Sequence, residues 1–354
     1  MRMKKKHTFL LILLLAAMAI GLSLAVWKVQ RDADSEVVEK AGQSEHADHS
    51  SDYIVYHDEK YPVIRRFSSV LVIGTDNYAD TTDDVKKYGN YNYQFADFLA
   101  VLIFDHGKKT VTPFQINRDT MCEVPWLMPS GKVGGYERMQ INFSHTFGQG
   151  KEDSCENTVA AVRGLLFNAP IDHYLAFTMD AVPVMNDLVG GVTVTLEDDV
   201  PVLGEEYVKG ATVTLRGSEA LRFVRQRDTS VLESNAIRMS HQRLYLAGFT
   251  DAARAAAARK QNLAVDTFKA IDRFLCTDLT VNHISDLVEN LCEYEILPVV
   301  TPDGSYSRND RFVEGLYHAE FDVDEKSLWD CVYSALCRKA QKSSLRFAPL
   351  RVII

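Results

Sequence analysis

The stretch SSVLVIGTD, residues 68–76, reads as a fully buried strand: its apolar run is too short for a helix, rich in β-branched residues and closed by a glycine and an aspartate. Outward from it, DFLAVLIFD (97–105) is a second strand, HGKK (106–109) a turn, and KKTVTPFQI (108–116) a third strand. Helical spacing follows in CENTVAAVRGLLF (155–167), then a strand in HYLAFTM (173–179) and a helix over 180–191 stopped by its glycines. VTVTL (192–196) continues as a strand, and GSEALRFVRQR (217–227) and residues 238–260 as helices. YEILPVV (294–300) and GLYHAEFDV (315–323) add late strands. Strands alternating with helices predict an α/β fold with a mixed or largely parallel central β-sheet, covered by helices on both faces.

Polar residues at the ends of apolar strands are the candidates for chemistry. QINRDTM (115–121) presents Arg118 and Asp119 where a strand gives way to a loop, as sites in open α/β sheets often do. Asp76 ends one strand and Asp97 begins the next, so the two carboxylates could jointly hold a hard divalent cation such as Mg2+; each could equally be a turn or helix cap. Arg118 and Asp119 could likewise be a structural ion pair. LRFVRQR places Arg222, Arg225 and Arg227 beside apolar neighbours, and Arg238 and Gln242 stand four apart on one helix face. Arginines on partly apolar segments suit a phosphate clamp better than a solvated face does, and with two candidate metal ligands a pyrophosphate site is the better reading.

At 354 residues, 46% hydrophobic and 25% charged, the chain can bury a sizeable core. MRMKKKH carries four basic residues, and residues 8–27 form a twenty-residue run without a charge, long enough to cross a bilayer. This predicts a cytoplasmic N-terminus at 1–7, a transmembrane helix at 8–27 and everything beyond Trp27 outside the cell. A cleaved signal peptide ending near Ser23-Leu24-Ala25 is the alternative, with the same export. The net charge is −9 with those basic residues included, so the exported part is more acidic still, which argues against nucleic-acid binding. Residues 28–52 read as a polar stalk whose His46 and His49 are solvated linker residues. YIVYHDEKYPVI (53–64) reads as a hairpin turning at Asp58-Glu59, which closes the lead-in at residue 67. Six cysteines outside a membrane permit disulfides, Cys122 with Cys155 and Cys276 with Cys292 being the plausible pairs, or they remain buried thiols. Cys331 and Cys337 are poorly placed for each other.

VLVIGTD, ADFLAVLIF, INRDTM, INFSHTFG, DLVGGVTV, LRGSEALRFVRQR and RMSHQR, in this order, resemble the successive motifs of the LytR-CpsA-Psr family over residues 68–250. The resemblance implies a membrane-anchored, single-pass extracellular phosphotransferase of mainly Gram-positive bacteria. Such an enzyme moves a glycopolymer from a polyprenyl-pyrophosphate carrier to peptidoglycan through a phosphodiester. It implies magnesium on Asp76 and Asp97, and pyrophosphate binding by Arg118, Arg225, Arg227, Arg238 and Gln242. Asp76, Asp97 and Arg118 would form the catalytic set. A prenyl groove is implied too, with walls expected near Leu166, Phe167 and Val184. Residues 251–354 are expected to pack on the same domain and end in a tail.

Four positions depart from the family pattern. Asn117 stands for a proline, Phe95 for a phosphate-binding arginine, Gln140 for a lysine and His241 for an arginine, with Arg138 as a possible substitute cation near Gln140. The loss of positive charge at 95, 140 and 241 keeps open a lipid-pyrophosphate-binding regulatory protein without transfer, and a pyrophosphatase that uses the same metal site on the same lipid, with water as acceptor, is a further alternative.

Overall fold

The computed structural model describes residues 52–75, 92–227, 231–257 and 318–337 and, with gaps, 259–309. The transmembrane run, most of the stalk, Asp76, Cys292 and the tail beyond 337 lie outside the described residues. Among the described residues no helix is long and apolar enough to cross a membrane.

A short hairpin pairs β1 (Tyr53–Tyr56) with β2 (Glu59–Pro62). Its two-residue turn is His57-Asp58, one residue earlier than the sequence suggests. Both residues take positive φ (49° and 63°), the conformation whose twist matches paired strands.

The chain then enters β3 (Phe67–Thr75), β4 (Ala96–Asp105) and β5 (Thr110–Ile116), three antiparallel neighbours at the centre of the molecule. The hairpin β6 (Met121–Leu127) and β7 (Val133–Gln140) follows. After it come a 3-10 turn at Ile141–Thr146, helix α1 (Glu152–Leu165), β8 (His173–Thr178) and α2 (Ala181–Val189). β9 (Val192–Thr195) pairs with β10 (Thr212–Leu215), and α3 (Ser218–Arg225) leads into the long α4 (Ser234–Ala257). The later chain supplies β11 (Leu275–Thr277), β12 (Glu295–Ile296), the antiparallel pair β13 (Gly304–Asn309) and β14 (His318–Val323), and α5 (Glu325–Leu336).

The main sheet runs β11-β8-β3-β4-β5-β12. β3 pairs β8, and β5 pairs β12, in parallel; the other three pairings are antiparallel, so the sheet is mixed rather than largely parallel. Both edge strands come from residues beyond 250. Alternation along β4 explains the layering. Phe98, Ala100, Leu102 and Phe104 face a core shared with α2, α3 and α4, while Leu99, Val101 and Ile103 face a second core under α1 and α5. The sheet is therefore covered by helices on both faces.

Two glycines allow close approach. A Cβ on Gly74 would stand 2.9 Å from Phe98 Cβ and 3.2 Å from Met179 Cε, at the point where the β3–β4 register shifts between Gly74 and Thr75. A Cβ on Gly248 would meet Thr193 O at 2.3 Å, so α4 can lie directly on β9 only through this glycine.

The Cys122–Cys155 pairing is not formed: both thiols are free and buried. Cys122 sits on β6, where burial pushes its thiol up to about 12, whereas Cys155 on α1 faces Cys276 of β11 and the His145 ring. Cys276, Cys331 and Cys337 are free as well.

His145 is fully buried in the 3-10 turn, with Nδ1 3.1 Å from Gln94 O and Nε2 3.8 Å from Cys155 Sγ. Burial lowers its pKa from the ordinary 6.5 to about 4, so the native state holds the neutral ring. Between those two values the unfolded chain binds the proton and the native chain does not, so stability falls as pH falls through that window. The full loss is on the order of 3 kcal/mol. Thermal unfolding from pH 7.5 to 4.5 should show a steeper loss in the wild type than in His145→Gln; parallel profiles would remove His145 as the cause.

Candidate functional site

β4 and β5 bring Asp97 and Arg118 together. Thr120 N donates to Asn117 O at 3.0 Å, closing a turn after β5 that carries Arg118 and Asp119. Arg118 Nη1 pairs with Asp97 Oδ1, and its Nε lies 3.5 Å from Asp119 Oδ1. From the first turns of α4, Arg238 reaches Asp97 Oδ2 with Nη1 at 3.5 Å. Arg238 Nε and Nη2 also donate to Asn235 Oδ1, at 3.1 and 2.6 Å. Side-chain exposure of 14%, 7% and 4% for Arg118, Asp97 and Arg238 makes this a buried ion cluster, which requires close pairing to offset desolvation.

Desolvation dominates the titration of both buried partners. It raises the Asp119 carboxyl, an effect opposed by Arg118, Arg227 and Arg238. It also lowers Arg238 to about 10, which leaves the guanidinium charged at neutral pH. Asp119 is 1% exposed, and its Oδ2 has no hydrogen-bond partner. Such an orphaned carboxylate oxygen beside three arginines marks a place prepared for something polar.

The remaining candidates divide. Arg227 Nε donates to Ser234 Oγ at 3.0 Å, and Arg227 acts on both Asp119 and Arg238. Arg225 is exposed at the end of α3, turned differently from Arg227. Gln242 is buried one turn beyond Arg238, its Nε2 3.4 Å from Val224 O, and it lines an apolar cavity with Phe98, Met179, Met185, Leu246 and Phe249. That cavity lies between the sheet and α2–α4. Leu166 and Phe167, expected near a prenyl groove, belong to the opposite core, and Val184 packs on the core that holds this cavity without lining it.

The four departures also acquire places. Phe95 sets its ring 5.9 Å from the Arg118 guanidinium carbon and packs edge-on against Phe143, so an aromatic face stands where an arginine would be. His241 stacks on Phe223 at 4.7 Å and burial lowers its pKa, which makes it a neutral packing group rather than a cation. Gln140 Nε2 donates to Asp119 Oδ1 at 3.3 Å and to Ala319 O. Arg138 does not replace a lysine here: it is exposed and paired with Asp322 at 2.8 Å.

Sequence reasoning missed three neutral residues. Asn117 Oδ1 accepts from Asp119 N at 3.0 Å and from Asn235 Nδ2 at 2.6 Å, and Asn117 Nδ2 donates to the Tyr306 hydroxyl at 2.6 Å. Asn117 in place of the family's proline was the one available signal; Asn235 and Tyr306 carried none. Among the described residues no group of three or more His, Cys, Asp or Glu forms a metal cage. Asp97, whose two oxygens face Arg118 and Arg238, nevertheless offers the oxygen chemistry that a hard divalent cation takes.

A family model described as the LytR_cpsA_psr family matches residues 29–328. A polyisoprenyl-teichoic acid–peptidoglycan teichoic acid transferase, TagU, of Bacillus cereus is 25% identical over 81% of this chain and 84% of its own length. The Bacillus subtilis protein of the same name is 25% identical over 81% and 83%. The cell wall biosynthesis protein LcpA of Corynebacterium glutamicum is 25% identical over 52% of this chain and 39% of its own. In fold, the chain is similar to the crystal structure of Bacillus subtilis TagV, with a TM-score of 0.55, 21% identity, and 76% and 95% of the two chains covered.

Proposed function

Because the chain belongs to the LytR-CpsA-Psr family, we propose that it is a membrane-anchored transferase facing the cell exterior, which moves a glycopolymer from a polyprenyl-pyrophosphate carrier to peptidoglycan. The observation that carries this reading is the adjacency of two unlike environments on α4. Arg238 joins the buried Asp97–Arg118 cluster, and Gln242 one turn later lines the apolar cavity. A substrate with a doubly charged pyrophosphate and an isoprenoid tail is the chemistry that uses both. TagU relatives named as transferases support the reaction class.

Arg118, Arg227 and Arg238 bind the pyrophosphate oxygens and oppose the charge that gathers on the departing lipid phosphate. A peptidoglycan hydroxyl attacks the phosphorus attached to the glycan. As the new P–O bond forms, the bond from that phosphorus to the bridging oxygen breaks, and polyprenyl phosphate leaves. The hydroxyl proton passes to Asp119 Oδ2, whose raised pKa and missing partner suit it as acceptor. Asp97, with Asp76 directly following the last residue of β3, would hold Mg2+, which when bound supplies charge neutralisation at the pyrophosphate. Apolar walls at Phe98, Met185 and Phe249 would receive the start of the prenyl tail and keep water from the cluster, the cavity of about 40 Å³ widening as the chain enters.

The test uses the full chain in detergent micelles with a synthetic polyprenyl-pyrophosphate glycan, magnesium and peptidoglycan oligomers, read by mass spectrometry. A glycan–peptidoglycan phosphodiester with released lipid phosphate is expected. Glycan phosphate without a conjugate would make the protein a pyrophosphatase instead. Bound lipid with no release would make it a binding protein, the outcome that Phe95 in place of an arginine favours.

A further inference from the structure

The pair β13–β14 is joined to the site at several points. Phe321 N donates to Asp119 O at 2.9 Å, Gln140 Nε2 donates to Ala319 O, and Tyr306 packs its ring 4.9 Å from Phe321. Its deepest polar contact is the Tyr306 hydroxyl, which accepts from Asn117 Nδ2 at 2.6 Å and also meets the Asn235 side chain. From there hydrogen bonds run inward, Asn235 Nδ2 to Asn117 Oδ1 and Arg238 Nε and Nη2 to Asn235 Oδ1, and end at the 3.5 Å ion pair of Arg238 Nη1 with Asp97 Oδ2.

We propose that Tyr306 is a positioning residue for Arg238, acting through Asn117 and Asn235. The reason lies in the two ends of an amide. Asn117 Oδ1 must face two donors, Asp119 N and Asn235 Nδ2, which obliges its Nδ2 to face an acceptor. The Tyr306 oxygen is that acceptor. Without it, the Asn117 amide loses the bond that fixes its orientation, and a turned amide would set its NH2 against the Asn235 NH2. Asn235, left with only the 3.6 Å contact of its Nδ2 to Met239 Sδ, would then be held less firmly with Oδ1 toward the fork of Arg238. Burial keeps the Tyr306 phenol protonated and neutral at physiological pH, so the relay carries orientation and not charge. Two departures from the family pattern thus share one cause: Asn117 in place of proline takes part in the relay, and Gln140 in place of lysine tethers the strand pair that brings Tyr306.

This inference rests on the reading of Arg238 as a pyrophosphate ligand, so the test separates the relay from the reaction. In the full chain, hydrogen exchange at the Arg238 Nε–H is followed by NMR, with the signal assigned by its loss in Arg238→Lys. Tyr306→Phe keeps the ring against Phe321 and removes only the hydroxyl. It should speed that exchange about tenfold; Asn117→Ala should do the same, and the double variant should be no faster than either, since both act on one path. In the transfer assay Tyr306→Phe should lower kcat about tenfold with KM for the lipid substrate within twofold. Unchanged exchange in Tyr306→Phe, or effects that add in the double variant, would overturn the relay. An active wild type matched by a fully active Tyr306→Phe would overturn the positioning role. A wild type without transfer would count against the proposed reaction alone, with the exchange result still deciding the relay.

Discussion

Arg118→Ala lowers the rate of glycan transfer by about 10²–10³-fold, the loss that follows removal of one preorganised donor from developing charge. The expectation comes from placement. Arg118 sits between Asp97 and Asp119, is 14% exposed, and is the cation on which both carboxylates converge. Alanine leaves the pyrophosphate with Arg227 and Arg238 but removes the guanidinium held at the turn after β5. The fold should suffer less than the rate, because Asp97 retains Arg238 and some solvent reaches the Arg118 position. Single-turnover transfer and chemical denaturation of the same preparations check both halves. A variant that transfers within fivefold of wild type would show that Arg118 serves the fold and not the reaction. Arg118→Lys should recover little, since an ammonium cannot reproduce contacts to Asp97 and Asp119 from two nitrogens of one planar group.

The sequence makes this charge legible because charge and periodicity are local signals. Residues 68–75, 97–105 and 110–116 alternate or run apolar at strand length, and the cations and carboxylate at their ends had to fall at the edge of a sheet. Arg238 and Gln242 were readable as one helix face for the same reason. What escaped was tertiary. The β6–β7 hairpin contains Gly134 and Gly135 and many exposed positions, so its pattern resembles a loop; the glycines are required because Trp126 lies on them, a Cβ on Gly134 standing 2.1 Å from its ring. Cys155 has Cys276 as its neighbour through packing of α1 against β11, a relation that no spacing encodes. Asn235 and Tyr306 are neutral, separated by seventy-one positions, and meaningful only through Asn117. Arg225 and Arg227 look equivalent in sequence, yet the chain leaves α3 between them, so one is exposed and the other turns to Ser234.

Arg238 is the position at which stability and activity should fall together. Arg238→Met, close in volume and without charge, should destabilise the protein by about 3–5 kcal/mol, the range for removing one partner of a buried ion pair. Two acceptors are stranded by the change: Asp97 Oδ2, and Asn235 Oδ1, which received both Nε and Nη2. Arg118 still faces Asp97 Oδ1, so the carboxylate keeps one cation and the loss stops short of unfolding a stable domain. Adding Asp97→Asn to Arg238→Met exchanges the half-paired carboxylate for a neutral amide whose Oδ1 can still meet Arg118, and should restore part of the stability, as neighbours that share an interaction do not add. Transfer should not return with it, because the double variant lacks both a cation for the pyrophosphate and a carboxylate for the metal. Chemical denaturation of the two single variants and the double variant, beside the transfer assay, separates the terms. Recovery of stability without activity assigns the cluster a cost to the fold that the reaction justifies. Strictly additive destabilisation would mean that Asp97 and Arg238 stabilise through different partners, and the 3.5 Å contact between them would carry little energy.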